Sequence, residues 1–85
     1  MANHKQADKR HRQSLRRKAR NKYYKSTMRT YLKRARVALE EKAPNAEEAV
    51  RKAVSMIDKV AQKGVIHRNT AARTISRLLE SQANG

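Results

Sequence analysis

Whatever chemistry this sequence performs, lysine and arginine perform it. Lys5, Lys9, Arg10, Arg12, Arg16, Arg17, Lys18, Arg20, Lys22, Lys25, Arg29, Lys33, Arg34 and Arg36 crowd the first 36 residues, against one acid, Asp8. Residues 37–85 are nearly balanced, with eight cations and six acids. The whole chain carries a formal charge of +15 in 85 residues. A surplus that large repels itself and gains free energy beside a dense polyanion. Nucleic acid is the densest common one, and neutralising its phosphates releases condensed counterions. A charge that served only solubility would be a few units.

Other chemistries lack their residues. There is no cysteine, so disulfides and thiolate metal sites are excluded. His4, His11 and His67 are not at metal-ligand spacing and have no acid cluster beside them, so no metal is expected. No Ser, His and Asp arrangement suggests a nucleophile, and no glycine-rich loop suggests a nucleotide. The sequence therefore reads as non-enzymatic and without a cofactor. Its aromatics are Tyr23, Tyr24 and Tyr31 only. Stacking modules present several exposed rings on a sheet. Recognition is expected to be of phosphate, sugar and shape, with Tyr24 and Tyr31 in the core and Tyr23 free to touch RNA.

Two stretches organise the cations. Projected on a helix, Lys18, Lys22, Lys25, Arg29, Lys33 and Arg36 fall within a sector about 80° wide. This ridge lies beside the apolar stripe of the same segment and can follow a phosphate backbone. Before Lys18 the cations Lys5, Lys9, Arg10, Arg12, Arg16 and Arg17 point in all directions, while Leu15 and Ala19 fall off the stripe. With nothing of its own chain to pack on, this arm is expected to be disordered when free and helical on RNA. The second stretch is Lys63-Gly64-Val65-Ile66-His67-Arg68-Asn69. A helix start here would offer unpaired N–H groups to a phosphate, ringed by Lys63, His67 and Arg68, with Arg73 and Arg77 further along. The same residues equally describe an ordinary helix–helix turn with solvated cations.

Three helical segments must position these groups. The first lacks Pro and Gly and reaches about Lys42, with an apolar stripe of Tyr24, Met28, Tyr31, Leu32, Ala35, Ala38 and Leu39. Pro44 breaks the chain. The second starts at Asn45, where Glu48 completes a capping-box pattern. It buries Ala46, Ala49, Val50, Ala53, Val54, Ile57, Val60 and Ala61, and stops at Gly64. The third starts near Asn69 and buries Ala71, Ala72, Ile75, Leu78 and Leu79. Val65 and Ile66 plug the end of the core, and the tail 81–85 is expected to fray. The expected fold is all-α, an antiparallel three-helix bundle with a long, projecting, basic first helix. Residues 1–23 would form the RNA-binding arm and 24–85 the bundle. No apolar run suggests a signal peptide or a membrane span, so a cytoplasmic protein is expected.

Three segments also resemble a known family. Met1-Ala2-Asn3, Lys5, Lys9-Arg10 and Arg12-Gln13 are similar to the start of bacterial small-ribosomal-subunit protein twenty. Ser26-Thr27-Met28-Arg29-Thr30 resembles its mid-helix motif. Lys63-Gly64-Val65-Ile66-His67-Arg68-Asn69, then Ala71-Ala72-Arg73 and Leu78, resembles its most specific signature. The three stand in order and span nearly the whole chain. The resemblance implies a three-helix bundle on small-subunit ribosomal RNA, at the bottom of the subunit body. It implies contact with the RNA's 5′ domain and long penultimate helix, early entry into assembly, and an RNA-binding connection. The chain departs from the family's pattern at His4, Asp8 and the bulky Tyr23-Tyr24.

The expected function is thus structural: binding small-subunit ribosomal RNA and stabilising its folding and assembly. Other small-subunit proteins are possible neighbours, and neither self-association nor a membrane is expected. A DNA-compacting nucleoid protein is the first rival, but the lopsided arm does not suit a symmetric duplex. A membrane-surface peptide is the second, and the lack of an apolar face before Lys18 argues against it.

Overall fold

The computed structural model describes residues 2–84, and side chains from residue 7 onward. It contains three helices, α1 (Ala2–Glu40), α2 (Ala46–Gln62) and α3 (Arg68–Asn84), and no strand among the described residues. Short turns reverse the chain twice, which makes an antiparallel three-helix bundle. The molecule extends 62 × 20 × 13 Å. The 39 residues of α1 account for the long axis, at about 1.5 Å each. α2 and α3 have 17 residues each and are less than half as long.

The core is built mainly on α2. Ala35 and Ala38 of α1, Val50, Ala53, Ile57 and Val60 of α2, and Ala71 and Leu78 of α3 are buried. Tyr31, Leu32, Leu39, Ala49 and Val54 pack around them. Half of the buried side chains are alanines, which lets the helices approach closely but leaves a small core. Ile57 and Val60 are the largest side chains fully removed from solvent. α2 packs against both other helices, whereas α1 and α3 barely meet. The apolar face expected for α3 is accordingly narrower than its sequence suggests. Ala72 and Leu79 are exposed and Ile75 is half-buried, because α3 covers one neighbour rather than two. Val65 and Ile66 are half-buried, as their place at the core's end requires.

Both inter-helix turns begin with the same helix stop. After α2, the Gly64 N–H donates to the Ala61 carbonyl (3.0 Å) and the Val65 N–H to the Val60 carbonyl (3.2 Å). Gly64 has φ +75, the left-handed conformation this stop requires. After α1, the Lys42 N–H donates to the Leu39 carbonyl (3.2 Å) and the Ala43 N–H to the Ala38 carbonyl (2.9 Å). Here the left-handed position is held by Lys42, with φ 51. The helix ends at Glu40, two residues before the sequence suggested.

The start of α2 corrects the capping box expected of Asn45 and Glu48. Asn45 precedes α2 at φ −94 and ψ 12, with no side-chain cap bond. That ψ is far from the extended conformation that turns a cap side chain toward the second and third N–H groups. The turn instead supplies backbone bonds, from the Ala46 N–H to the Ala43 carbonyl (3.1 Å) and from the Ala49 N–H to the Asn45 carbonyl (2.9 Å). Glu47 and Glu48 face Arg51 and Lys52 one turn on, at 3.5 and 3.4 Å. α3 begins at Arg68, one residue early, and continues through 81–84, where fraying was expected; the Ser81 hydroxyl there donates to the Arg77 carbonyl at 3.1 Å.

Candidate nucleic-acid interface

The helical arm has no packing partner. Every described residue from 7 to 20 is exposed, and Asn21 is the first to be half-buried. Lys9, Arg10, Arg12, Arg16, Arg17, Lys18 and Arg20 all project from this stretch. Lys5 and His4 belong to the helix, but their side chains lie outside the described residues. Leu15 is 52% exposed, which agrees with its position off the stripe. The arm is helical where disorder was expected for the free chain. Its lack of Pro and Gly and its many Lys, Arg, Gln and Ala residues explain the conformation, since no tertiary contact does.

Along the packed half of α1, Lys22, Lys25, Arg29, Lys33 and Arg36 are all exposed. With Lys18 they form the ridge read from the projection. Thr27 and Thr30 do not compete with it. Their hydroxyls donate to the Tyr23 and Ser26 carbonyls (2.9 and 3.0 Å), folding back on the helix itself. Tyr24 and Tyr31 are half-buried rather than fully in the core, and Tyr23 is 65% exposed with its ring edge-on to Tyr24.

The connection between α2 and α3 is a defined structure. Lys63 ends α2 in a helical conformation, Gly64 turns the chain, and His67 stands immediately before α3. His67 Nδ1 accepts the Asn69 N–H at 3.0 Å, and its carbonyl accepts the Ala71 N–H at 3.1 Å. The imidazole is therefore the cap of α3, and its remaining polar atom is Nε2. Lys63, His67, Arg68, Asn69, Arg73 and Arg77 are exposed. The Lys63 ammonium lies 5.2 Å from the centre of the Tyr24 ring. That contact places the connection beside the root of the arm, near Lys22 and Lys25. Spacing could not reveal it, because 39 residues separate the partners.

Charge is segregated along the molecule's axis. α1 runs away from the arm root, α2 returns to it, and α3 runs away again. Glu40, Glu41, Glu47 and Glu48 therefore sit around the far turn, and Glu80 lies in the final turns of α3. The arm and the α2–α3 connection hold the cationic end, where Asp8 and Asp58 are the two acids. Among the described residues no group of His, Asp or Glu could hold a metal ion. Among the same residues no helix is long and apolar enough to cross a membrane.

The family model of ribosomal protein S20 matches residues 2–82. The chain belongs to the ribosomal protein S20 family. It is 53% identical over 81 residues to small ribosomal subunit protein bS20 of Desulforapulum autotrophicum, covering 95% of this chain and 98% of that one. It is 52% identical over 81 residues to the bS20 of Coprothermobacter proteolyticus, covering 94% and 92%. With the bS20 of Roseiflexus sp. it shares 49% identity over 83 residues, covering 98% and 91%. The S20 family is one of structural ribosomal proteins rather than enzymes. The match takes in the arm, both turns and most of α3, so the features described above fall within it.

Proposed function

We propose that this chain is a structural component of the small ribosomal subunit that binds small-subunit ribosomal RNA directly and stabilises its folding and assembly. The observation that carries the reading is the arm: over residues 7–20, about 20 Å of helix at 1.5 Å per residue, it is exposed on every side and rich in cations. Phosphates on several sides offset the self-repulsion of such a rod, and folded RNA offers crevices of that kind. Membership of the S20 family supports the ribosomal setting.

In this reading the arm residues Lys5, Lys9, Arg10, Arg12, Arg16, Arg17 and Arg20 enter the RNA. The ridge from Lys18 to Arg36 follows one backbone. Lys63, His67, Arg68 and the Asn69 side chain meet phosphate at the start of α3, where the Asn69 N–H is taken by His67 but the helix dipole and the neighbouring first-turn N–H groups favour an anion. Arg73 and Arg77 extend that surface. Residues 1–23 act as the binding arm and 24–85 as the bundle that aims it. The acidic far end faces away from RNA or toward basic neighbours. The protein works as a single copy in the cytoplasmic ribosome, without a membrane.

A salt titration tests the phosphate clamp. If about eight cations meet phosphate, log affinity for the RNA falls with log salt at a slope of roughly −5 to −7. A slope near −1 in filter binding overturns it. Competition between ribosomal RNA and duplex DNA separates this function from DNA compaction, which requires the duplex to compete as well.

A further inference from the structure

We propose that the outward face of α1 around Tyr23, Ser26, Thr27 and Thr30 is a ribose-reading patch, which takes the 2′-hydroxyl edge of an RNA minor groove and favours RNA over DNA. The proposal rests on the RNA-binding reading and deepens it, because it names the part of the nucleic acid that meets this face. Projected at 100° per residue, Ala19, Tyr23, Ser26, Thr27 and Thr30 centre roughly 140° from the apolar stripe of α1 and roughly 110° from the ridge. They face neither the bundle nor the phosphates the ridge follows. Ala19, Tyr23, Ser26 and Thr30 are exposed and Thr27 is half-buried.

The patch is uncharged in a strongly cationic stretch. Of the eight Lys and Arg between Lys18 and Arg36, six form the ridge, which leaves Arg20 and Arg34. Arg20 projects at the far edge of the patch. Arg34 holds its guanidinium 5.7 Å from the centre of the Tyr31 ring, toward the bundle. No acid stands between Asp8 and Glu40. Leu15, Tyr23 and Val37, three of the four large apolar side chains exposed among the described residues, line up on this side of α1. A phosphate gains nothing from such a strip, whereas a sugar offers C–H surface to it.

The threonine hydroxyls decide which polar groups can meet the patch. The Thr27 O–H donates to the Tyr23 carbonyl at 2.9 Å, and the Thr30 O–H to the Ser26 carbonyl at 3.0 Å. Both protons are spent inside the helix, so each oxygen shows only acceptor lone pairs outward. A phosphate oxygen is an acceptor too and has no proton to give. A 2′-hydroxyl can donate, and in A-form RNA it lines a wide, shallow minor groove. DNA lacks that donor. Small side chains at 19, 26, 27 and 30 let a shallow groove come close to the helix. Lys22, Arg29 and Lys33 on one edge and Arg20 on the other can then meet the phosphates that border it.

The test uses the full-length protein and in vitro transcribed small-subunit ribosomal RNA carrying scattered 2′-deoxy phosphorothioate nucleotides. Filter binding separates bound from free RNA, and iodine cleavage maps the 2′-hydroxyls whose loss weakens binding. The patch variant is Thr27→Val with Thr30→Val, which keeps side-chain shape and removes both oxygens. Thr30→Lys is a second probe, since phosphate would reward the added cation and a ribose edge would not. Melting temperatures within the parent's range show that the fold is kept.

The parent should show a cluster of sensitive 2′-hydroxyls. The valine variant should bind roughly tenfold more weakly, the loss of two modest hydrogen bonds, with the parent's salt slope, and should no longer respond to 2′-deoxy substitution at that cluster. Thr30→Lys should bind no more tightly than the parent. A valine variant with parent-like affinity, with the parent's 2′-deoxy map or with a shallower salt slope overturns the patch, and so does tighter binding by Thr30→Lys. Guanine's amino group is the other donor in a minor groove; interference by inosine but not by 2′-deoxy substitution would mean that bases are read, which also overturns it. A parent that binds without any 2′-deoxy sensitivity overturns the patch and leaves RNA binding standing. A parent that does not bind the RNA overturns the RNA-binding reading and this proposal with it.

Discussion

His67 Nδ1 accepts the Asn69 N–H at 3.0 Å, so the residue immediately before α3 is a histidine acting as a helix cap. Only Nε2 remains for an external partner. Substituting alanine removes the cap and should cost about 0.5–2 kcal/mol of stability. His67→Asn keeps a capping side chain and discards Nε2. Its melting temperature should stay near the parent's, while RNA affinity falls roughly threefold to tenfold, the range of a modest hydrogen bond. Parent-like RNA binding by His67→Asn would reduce His67 to a cap.

The two helix stops predict opposite glycine effects. Lys42 occupies a left-handed position at φ 51, which costs a side-chain-bearing residue about 1–2 kcal/mol. Glycine relieves that cost, less roughly 0.5–1 kcal/mol for its freer unfolded chain. Lys42→Gly should therefore raise the melting temperature by a few degrees. Gly64 is the mirror case, with φ +75 and nothing within 4 Å of the place a Cβ would take. Gly64→Ala should lower stability by up to about 1.5 kcal/mol, the left-handed cost less the same roughly 0.5–1 kcal/mol for the unfolded chain. Thermal melts of both variants decide the matter; a lower melting temperature for Lys42→Gly would contradict it.

The helices and most of the core were legible in the sequence because spacing by three and four carries that information. Tyr24 to Leu39 and Val50 to Val60 pack as their periodicity requires. Gly64 stops α2 as glycine at that position should. What spacing cannot carry is how many neighbours a helix has. Ala72 and Leu79 look like core on a helical projection, yet they are exposed because α3 meets α2 and scarcely touches α1. Asn45 and Glu48 satisfy a capping pattern, yet the preceding turn leaves Asn45 in the wrong conformation to use it. The exposed cations of the ridge were readable, since they share one strip of one helix. The Lys63–Tyr24 contact was not, because it depends on which faces of two helices meet.

The arm should be the least protected helix in the molecule. Isolated helices are marginal at this length even with favourable residues, and residues 7–20 bury nothing. Six cations and one acid in residues 1–17 add self-repulsion. Amide exchange of the free protein should be fast before Lys18 and slow in α2, where Val50, Ala53, Ile57 and Val60 are buried. Bound RNA should slow the arm by supplying counter-charge on several sides. Strong protection of the arm without RNA would show that its own helix suffices.

Stability and RNA contact should separate when Ile57 and Arg68 are changed in turn. Ile57 is fully buried, whereas Ile75, one of the core positions the sequence suggests on α3, is only half-buried. Ile57→Ala removes volume at the centre of a core rich in alanine and should cost about 2–5 kcal/mol. In so small a bundle that unfolds a large fraction of the chain. RNA affinity then falls only through the unfolded fraction, and saturating RNA should restore the fold by mass action. Arg68 is exposed at the first position of α3. Arg68→Ala should change stability by no more than about 0.5 kcal/mol. It should weaken RNA binding by roughly ten- to a hundredfold if its guanidinium holds a phosphate, the cost of a charge-assisted contact. Melts and RNA titrations of both variants give four readings. An Arg68→Ala protein that binds like the parent removes the phosphate site at the α2–α3 connection and leaves binding to α1. An Ile57→Ala protein that melts like the parent would mean that the core is not where the structure places it.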